Sequence, residues 1–176
     1  MATTLSNIQI SLLMKALLSD TVQGGEVKGE GGANITFNYT SGTSANQANR
    51  LIQNTDRSLS DTATEDLDLY DLAGFDSTSD LVGTTVTFAE IVGLLIRNDS
   101  TSTGNLLVGG KGDSTAWTSM LANNSDIITL LPGAAIALAV GSDPGYVVTD
   151  TTNHILKMAA SGGDLTYDIY ILGRNA

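Results

Sequence analysis

The chain has 176 residues, no cysteine, and 19 Asp and Glu residues against 8 Lys and Arg, a formal net charge of −11. This length suits one domain with a full core, and the missing cysteines exclude disulfides, thiolate metal sites and a cysteine nucleophile. The acidic balance disfavours nucleic acid and anionic membrane surfaces as partners, because both bind clustered cations. No signal peptide or membrane-spanning run is recognisable, so we expect a soluble protein.

A helix is predicted near the N-terminus. Its apolar residues share one helical face at positions i, i+3, i+4, i+7 and i+8: Ile10, Leu13, Met14, Leu17 and Leu18. Ser6 and Gln9 have capping-box spacing, and Gly24-Gly25 would end the helix. A rival interpretation is a strand, in which alternate residues form one apolar face: Ile8, Ile10 and Leu12.

Residues 24–32 are rich in glycine and are predicted to form a flexible connector. The predicted organisation is therefore an N-terminal helix with its linker over residues 1–32, followed by a β domain over residues 33–176. In the second part, short alternating segments such as Ile35–Tyr39, Ala134–Val140 and Leu165–Leu172 are typical of strands. Eight to ten strands at this spacing predict an all-β, antiparallel β-sandwich, jelly-roll-like, with the helix outside it.

The sequence offers little that could support catalysis. His154 is the only histidine, and a position in a turn or at the start of a strand is enough to explain it. Residues 109–114 contain Gly-Gly-Lys-Gly-Asp-Ser, which lacks the P-loop order and is predicted to be a turn. Trp117 could belong to a sugar-binding platform, but packing in the core is the preferred interpretation. We predict no catalytic residues, no cofactor and no enzymatic activity.

A cluster of acidic residues suggests calcium, which prefers oxygen ligands. Its members are Glu65, Asp66, Asp68, Asp71, Asp76 and Asp80. The spacing is not that of an EF-hand, so a solvated acidic edge is the preferred interpretation and no metal site is predicted. Calcium bound between subunits remains an alternative.

Several segments recur together in an order found in one family of proteins. They are Thr40–Asn49, Ala63–Leu69, Gly83–Ile91, Leu94–Asn98, Asn105–Gly110, Trp117, Leu131–Gly133, Gly145–Thr149 and Thr166–Gly173. From about Ala33 onward the chain resembles small structural proteins of tailed bacteriophages, in particular the jelly-roll capsid decoration, or cement, proteins.

This resemblance implies a virion protein on the outer capsid surface that binds the major capsid protein, bridges capsomers and associates with itself as a homotrimer. It brings no catalytic residues, and the acidic composition predicts no nucleic-acid partner and no membrane. The alternative is a tail, neck or fibre-associated adaptor or receptor-binding module on the same fold. A carbohydrate-binding domain is less favoured, and a major capsid protein is disfavoured because no basic segment could neutralise a genome.

The candidate interface is the apolar stripe of the N-terminal segment. We expect Ile10, Leu13, Met14, Leu17 and Leu18 to pack on a neighbouring subunit or capsid protein. The alternative, that this segment covers its own sandwich, stays open at the level of the sequence.

Overall fold

The structure is a computed structural model that describes residues 4–22, 25–80 and 83–175, with the backbone alone for 17–22 and 25–29. Over these residues it is built from strands and contains no helix, which confirms the all-β prediction. No helix that could cross a membrane occurs in these described ranges.

Twelve strands occur in the described part of the chain. They are β1 (Ile8–Val22), β2 (Gly25–Ser41), β3 (Gln47–Ala48), β4 (Arg50–Leu59), β5 (Thr64–Asp68), β6 (Phe88–Asn98), β7 (Asn105–Gly109), β8 (Ile127–Leu130), β9 (Ala135–Ala139), β10 (Tyr146–Val147), β11 (Ile155–Ser161) and β12 (Leu165–Asn175).

The predicted N-terminal helix is wrong. Residues 8–22 form strand β1, which pairs antiparallel with β2 in one register from Ile8 opposite Tyr39 to Val22 opposite Gly25. The glycine-rich connector is also wrong, because residues 25–32 belong to β2. The physical reason is that β2 supplies hydrogen-bond partners along the whole of β1. Glycine assists the pairing at Gly32, where a Cβ atom would meet the backbone carbonyl of Met14.

Strand β3 pairs parallel with the end of β2, and the remaining strands form two sheets. Sheet I has the order β4-β12-β6, with β9 and β10 both pairing along the far side of β6. Sheet II has the order β5-β11-β7-β8. The chain passes between the sheets repeatedly, since β4, β6, β9 and β12 lie in sheet I while β5, β7, β8 and β11 lie in sheet II.

A single hydrophobic core joins the two sheets, as expected for a β-sandwich. Both sheets contribute fully buried side chains, among them Leu67, Ile96, Leu106, Leu156, Met158 and Ile169. In β12 the predicted alternation is confirmed, because Leu165, Tyr167, Ile169 and Ile171 all lie in this core. Burying one such side chain contributes roughly 1.5–3 kcal/mol.

A buried asparagine side chain links the two sheets by hydrogen bonds. Asn98 ends β6 in sheet I and is fully buried. Its side-chain amide donates to the carbonyls of Gly104 and Leu130, each at 3.0 Å. These carbonyls lie just before β7 and at the end of β8, so the amide fastens sheet I to sheet II where the chain crosses between them.

Candidate functional site

The most distinctive feature of the molecule is the hairpin formed by β1 and β2, which we call the arm (residues 8–41). Its 15 register pairs correspond to roughly 50 Å at about 3.3 Å per residue. From Leu13 to Ala16 on β1, and from Glu30 to Thr36 on β2, every described side chain is exposed. The arm therefore leaves the sandwich after its first few residue pairs.

The arm has one apolar and one polar face. Paired residues on one face are Ile8 with Tyr39, Ile10 with Phe37, Leu12 with Ile35, and Met14 with Ala33. On the other face Gln9 donates to Asn38, and Ser11 lies 3.3 Å from Thr36. Side chains directly opposite in a hairpin share a face, so the apolar face is continuous from the base outward.

The base of the arm is packed on the outer face of sheet I. Tyr39, Val92 and Leu172 are buried together, with Ile8, Ile10, Phe37 and Leu51 partly buried around them. Gly93 permits this approach, because a Cβ atom there would collide with the Cδ1 atom of Ile10. Because Gly93 has no side chain, the first apolar residue pairs of the arm can pack directly against β6.

Hydrogen bonds fix the same base. The buried Tyr39 hydroxyl lies within bonding distance of two carbonyls, Val92 at 3.2 Å and Val140 at 3.1 Å. Burial raises the pKa of Tyr39, against smaller opposing effects of the Val140 carbonyl and Arg174. The phenol therefore stays protonated and remains a donor through the neutral range.

Arg174 anchors the loops around the base. Its side chain is 2% exposed and forms an ion pair with Glu90. It also donates to the carbonyls of Gln47 at 3.0 Å and Ser142 at 2.9 Å. Gln47 begins β3, the first strand after the arm. The buried guanidinium therefore links the segment that follows the arm to the loop before β10.

The apolar face continues past the part that the sandwich covers. Ile35 is 53% exposed and Met14 is 69% exposed, although they belong to the same face as the packed Ile10 and Phe37. Beside the base, there is an open cleft of about 430 Å³ whose walls are the start of β1 and the neighbouring part of sheet I. Its floor includes Leu95, Ala137 and Tyr170, so apolar surface is uncovered on both sides of the cleft.

The structure divides the predicted interface residues. Ile10 packs on the body, and Met14 lies on the same face beyond it. Leu13, 63% exposed, lies on the opposite, polar face. Leu17 and Leu18 pair with Glu30 and Gly29 in the register, and their side chains lie outside the described part. A helical stripe is thus replaced by two strand faces of different character.

His154 lies directly before β11, in agreement with the predicted position at the start of a strand, but it is buried rather than exposed. It is 9% exposed, and its Nε2 atom lies 3.5 Å from Asp68 Oδ2, while Nδ1 is buried without a hydrogen-bond partner. Its backbone joins the segments around Thr115 and Leu69 through 2.9 Å and 2.8 Å hydrogen bonds. Among the residues that the structure describes, neither ring nitrogen forms a hydrogen bond with a serine or threonine hydroxyl.

Four of the six residues in the acidic cluster lie beside lysine or arginine side chains. Asp66 pairs with Lys111 at 2.6 Å, Glu65 and Asp76 pair with Arg57, and Asp80 lies 4.0 Å from Arg50. Among the residues that the structure describes, no group of three or more acidic or histidine side chains has a metal-binding arrangement.

A buried ionic cluster was not predicted from the sequence. Arg57 of β4 contacts both Glu65 of β5 and the hydroxyl of Tyr167 in β12, which donates to the same carboxylate. Burial, reinforced by Glu65, raises the pKa of Tyr167. The cluster joins sheet I to sheet II: the pairing of β4 with β12 brings Arg57 to Tyr167, and the packing of the two sheets brings Glu65 to both.

Trp117 and the glycine-rich segment of residues 109–114 have structural positions. Trp117 is 1% exposed, packs edge-on to Tyr146 with ring centroids 6.2 Å apart, and donates from Nε1 to the Val147 carbonyl at 3.0 Å. This confirms its predicted place in the core. The segment after β7 turns through Gly109, Gly110 and Gly112, all at positive φ, and continues into no helix.

No protein-family model matches the chain, and no curated protein is significantly similar to it in sequence.

Proposed function

We propose that this protein is a structural virion protein that binds the outer surface of a tailed-bacteriophage capsid and stabilises the shell by bridging capsomers. The observation that carries the proposal is the arm: an apolar face that begins in a packed, hydrogen-bonded base and continues, uncovered, on a ribbon too narrow to form a core of its own. A two-stranded ribbon gains its stability from what it packs against. The molecule is therefore built to be completed by neighbours.

The strand order supports a jelly-roll fold, as in the resemblance to decoration proteins. The four strands β4-β12-β6-β9 of sheet I face the four strands β5-β11-β7-β8 of sheet II, and the two-residue strand β10 pairs with β6 beside β9. Consecutive strands alternate between the sheets except at β7–β8 and β9–β10. Two interleaved four-stranded sheets of this kind are the architecture of an eight-stranded jelly roll.

The charge distribution supports a position on the outside of a shell. Outside the arm, the chain has six cations and sixteen carboxylates, a net charge of −10. In the described residues five of those cations are paired with carboxylates: Arg50, Arg57, Arg97, Lys111 and Arg174. Such a surface has little to offer the phosphates of a packaged genome, whereas it suits a solvated exterior.

The mechanism is additive binding. Each copy contributes a modest contact with the major capsid protein, and association of the copies, as a homotrimer in this proposal, links several contacts into one. Linked contacts bind more tightly than any single one without new chemistry. The shell then resists internal pressure through many small interfaces, and no bond is made or broken.

The decisive experiment is imaging of phage particles that lack this protein, before and after addition of the purified chain. We expect density at many symmetry-related positions on the shell and a higher temperature of DNA release. Density at the neck, tail or fibres alone would overturn the proposal in favour of an adaptor or receptor-binding module. DNA-filled heads without tails serve as the control, since a decoration protein binds them equally well.

A further inference from the structure

Sheet I and the arm each have an apolar surface that the rest of the chain leaves uncovered. On the outer face of sheet I, one row of paired residues runs through Leu51, Leu172, Gly93 and Ala139, and the arm base covers it. The next row along the strands runs through Tyr170, Leu95 and Ala137. This second row forms the floor of the open cleft, and Leu95 is 38% exposed there.

The patch has defined limits. Beyond the second row, Arg97 and Asp168 pair across β6 and β12, with 2.6 Å between Nη2 and Oδ2. This ion pair closes the apolar surface on one side, and the arm base closes it on the other. An occupant of the cleft must therefore present a short apolar face next to polar groups.

We infer that the cleft on the outer face of sheet I receives the distal arm of a second copy of this chain, by which we mean residues 12–14 and 33–35, just beyond the packed base. The inference rests on the proposed function for its setting, in which several copies lie side by side on a shell. Within one chain, the row formed by Ile10 and Phe37 already packs on the first row of sheet I. The following arm rows, Leu12 with Ile35 and Met14 with Ala33, continue that packing face, just as Leu95 and its neighbours continue the surface that receives it.

Charge favours the arm of a second copy over its body. Residues 8–41 have two lysines and three carboxylates, a net charge of −1, whereas the rest of the chain has −10. Two bodies that approach each other bring together strongly like charges, which repel. An arm that docks on a neighbouring body brings a nearly neutral, apolar ribbon onto the apolar patch. A head-to-tail contact of this kind closes into a ring when the rotation permits.

The absence of cysteine makes a direct test possible. Two single-cysteine variants, Met14→Cys and Leu95→Cys, are mixed, the second with a mass tag, and oxidised at micromolar concentration. Because each chain has one thiol, a mixed disulfide forms only between copies. We expect the mixed species to be several-fold more abundant than with Leu13→Cys in place of Met14→Cys. Leu13 is equally exposed but lies on the polar face, so equal yields from both mixtures would overturn the inference.

Light scattering on the purified chain gives an independent readout. We expect the unmodified chain to be an oligomer and Met14→Asp with Ile35→Asp to associate roughly tenfold to a hundredfold more weakly, since two apolar side chains lose their burial. Leu13→Asp should leave association unchanged, and circular dichroism should show a folded sandwich in all variants. A monomeric unmodified chain that still coats particles would overturn this inference and leave the proposed function standing. Oligomers that do not bind particles would support this inference and overturn the proposed function.

Discussion

The base of the arm and the next residue pairs outward have the same strand pairing and the same apolar face, yet only the base is covered. At the base, Ile10 lies over Gly93 and the Tyr39 hydroxyl bonds to two carbonyls of the body. A few pairs further out, Ile35 and Met14 carry equally apolar side chains into solvent. The comparison shows that alternation along a strand decides which side chains share a face, whereas the neighbouring surface decides whether that face is buried.

The largest effect is expected from the core of the sandwich, which sets the scale for the arm. Ile169→Ala removes buried side-chain atoms at a fully buried position and should lower the free energy of unfolding by about 2–5 kcal/mol. Urea denaturation followed by far-ultraviolet circular dichroism measures this. A loss below about 0.5 kcal/mol would mean that β12 is not a central core strand.

The seat of the arm is tested at Gly93. Gly93→Val places a side chain where Ile10 lies, so overpacking should cost about 1–3 kcal/mol or displace the arm base. Faster hydrogen exchange in residues 8–12, with the sandwich still protected, would report displacement. The added change Ile10→Ala should recover part of the loss, because the two sites are coupled. Strictly additive effects would contradict this packing.

A smaller effect is expected from Tyr39→Phe. The change removes one buried hydroxyl donor while keeping the ring, so the free energy of unfolding should fall by about 0.5–1.5 kcal/mol. Thermal unfolding measures the loss. Tyr70→Phe is a suitable control, because that side chain lies only partly buried at the edge of the core. Equal losses in the two variants would argue against a special role for Tyr39 at the base.

The same phenol predicts a dependence on alkaline pH. Burial raises the pKa of Tyr39 above its ordinary value of 10.0 in the folded chain. The folded state therefore retains a proton that the unfolded state loses, so the contribution of this phenol to stability is constant below pH 10 and falls as the pH rises above it. Urea titrations between pH 8 and 11 measure the slope. Tyr39→Phe should reduce that slope, although Tyr167, whose pKa is also raised, contributes in both proteins.

The smallest effect is expected at the distal arm. Ile35→Ser, at a side chain 53% exposed, should change the free energy of unfolding of the dilute chain by less than about 0.5 kcal/mol. The matched change Ile10→Ser at the base should cost clearly more, because Ile10 packs against the body. Similar losses for both isoleucines under conditions where the chain is monomeric would mean that the distal arm folds back on its own sandwich.

The local pattern of apolar residues was sufficient to predict the buried face of a segment that had one plausible surface to pack against. The alternation of Leu165, Tyr167, Ile169 and Ile171 predicted an inward face of β12, and all four lie in the core. It was insufficient for residues 8–22, where apolar residues at i+3 and i+4 coexist with Ile8, Ile10 and Leu12 at i+2. The partner that settles the choice, β2, is supplied by the chain beyond residue 24, and helical periodicity contains no information about it.

The sequence by itself determined that this chain is β-rich, strongly acidic and free of cysteine, because those properties are composition and short-range alternation. Only the tertiary structure decided that Leu13 and Met14 face opposite ways, that Gly93 seats Ile10, and that Arg57, Glu65 and Tyr167 meet. Each of these depends on which distant strands pair and in which register. Side chains alternate along a strand, so a shift of one residue in that register would exchange the two faces of the arm.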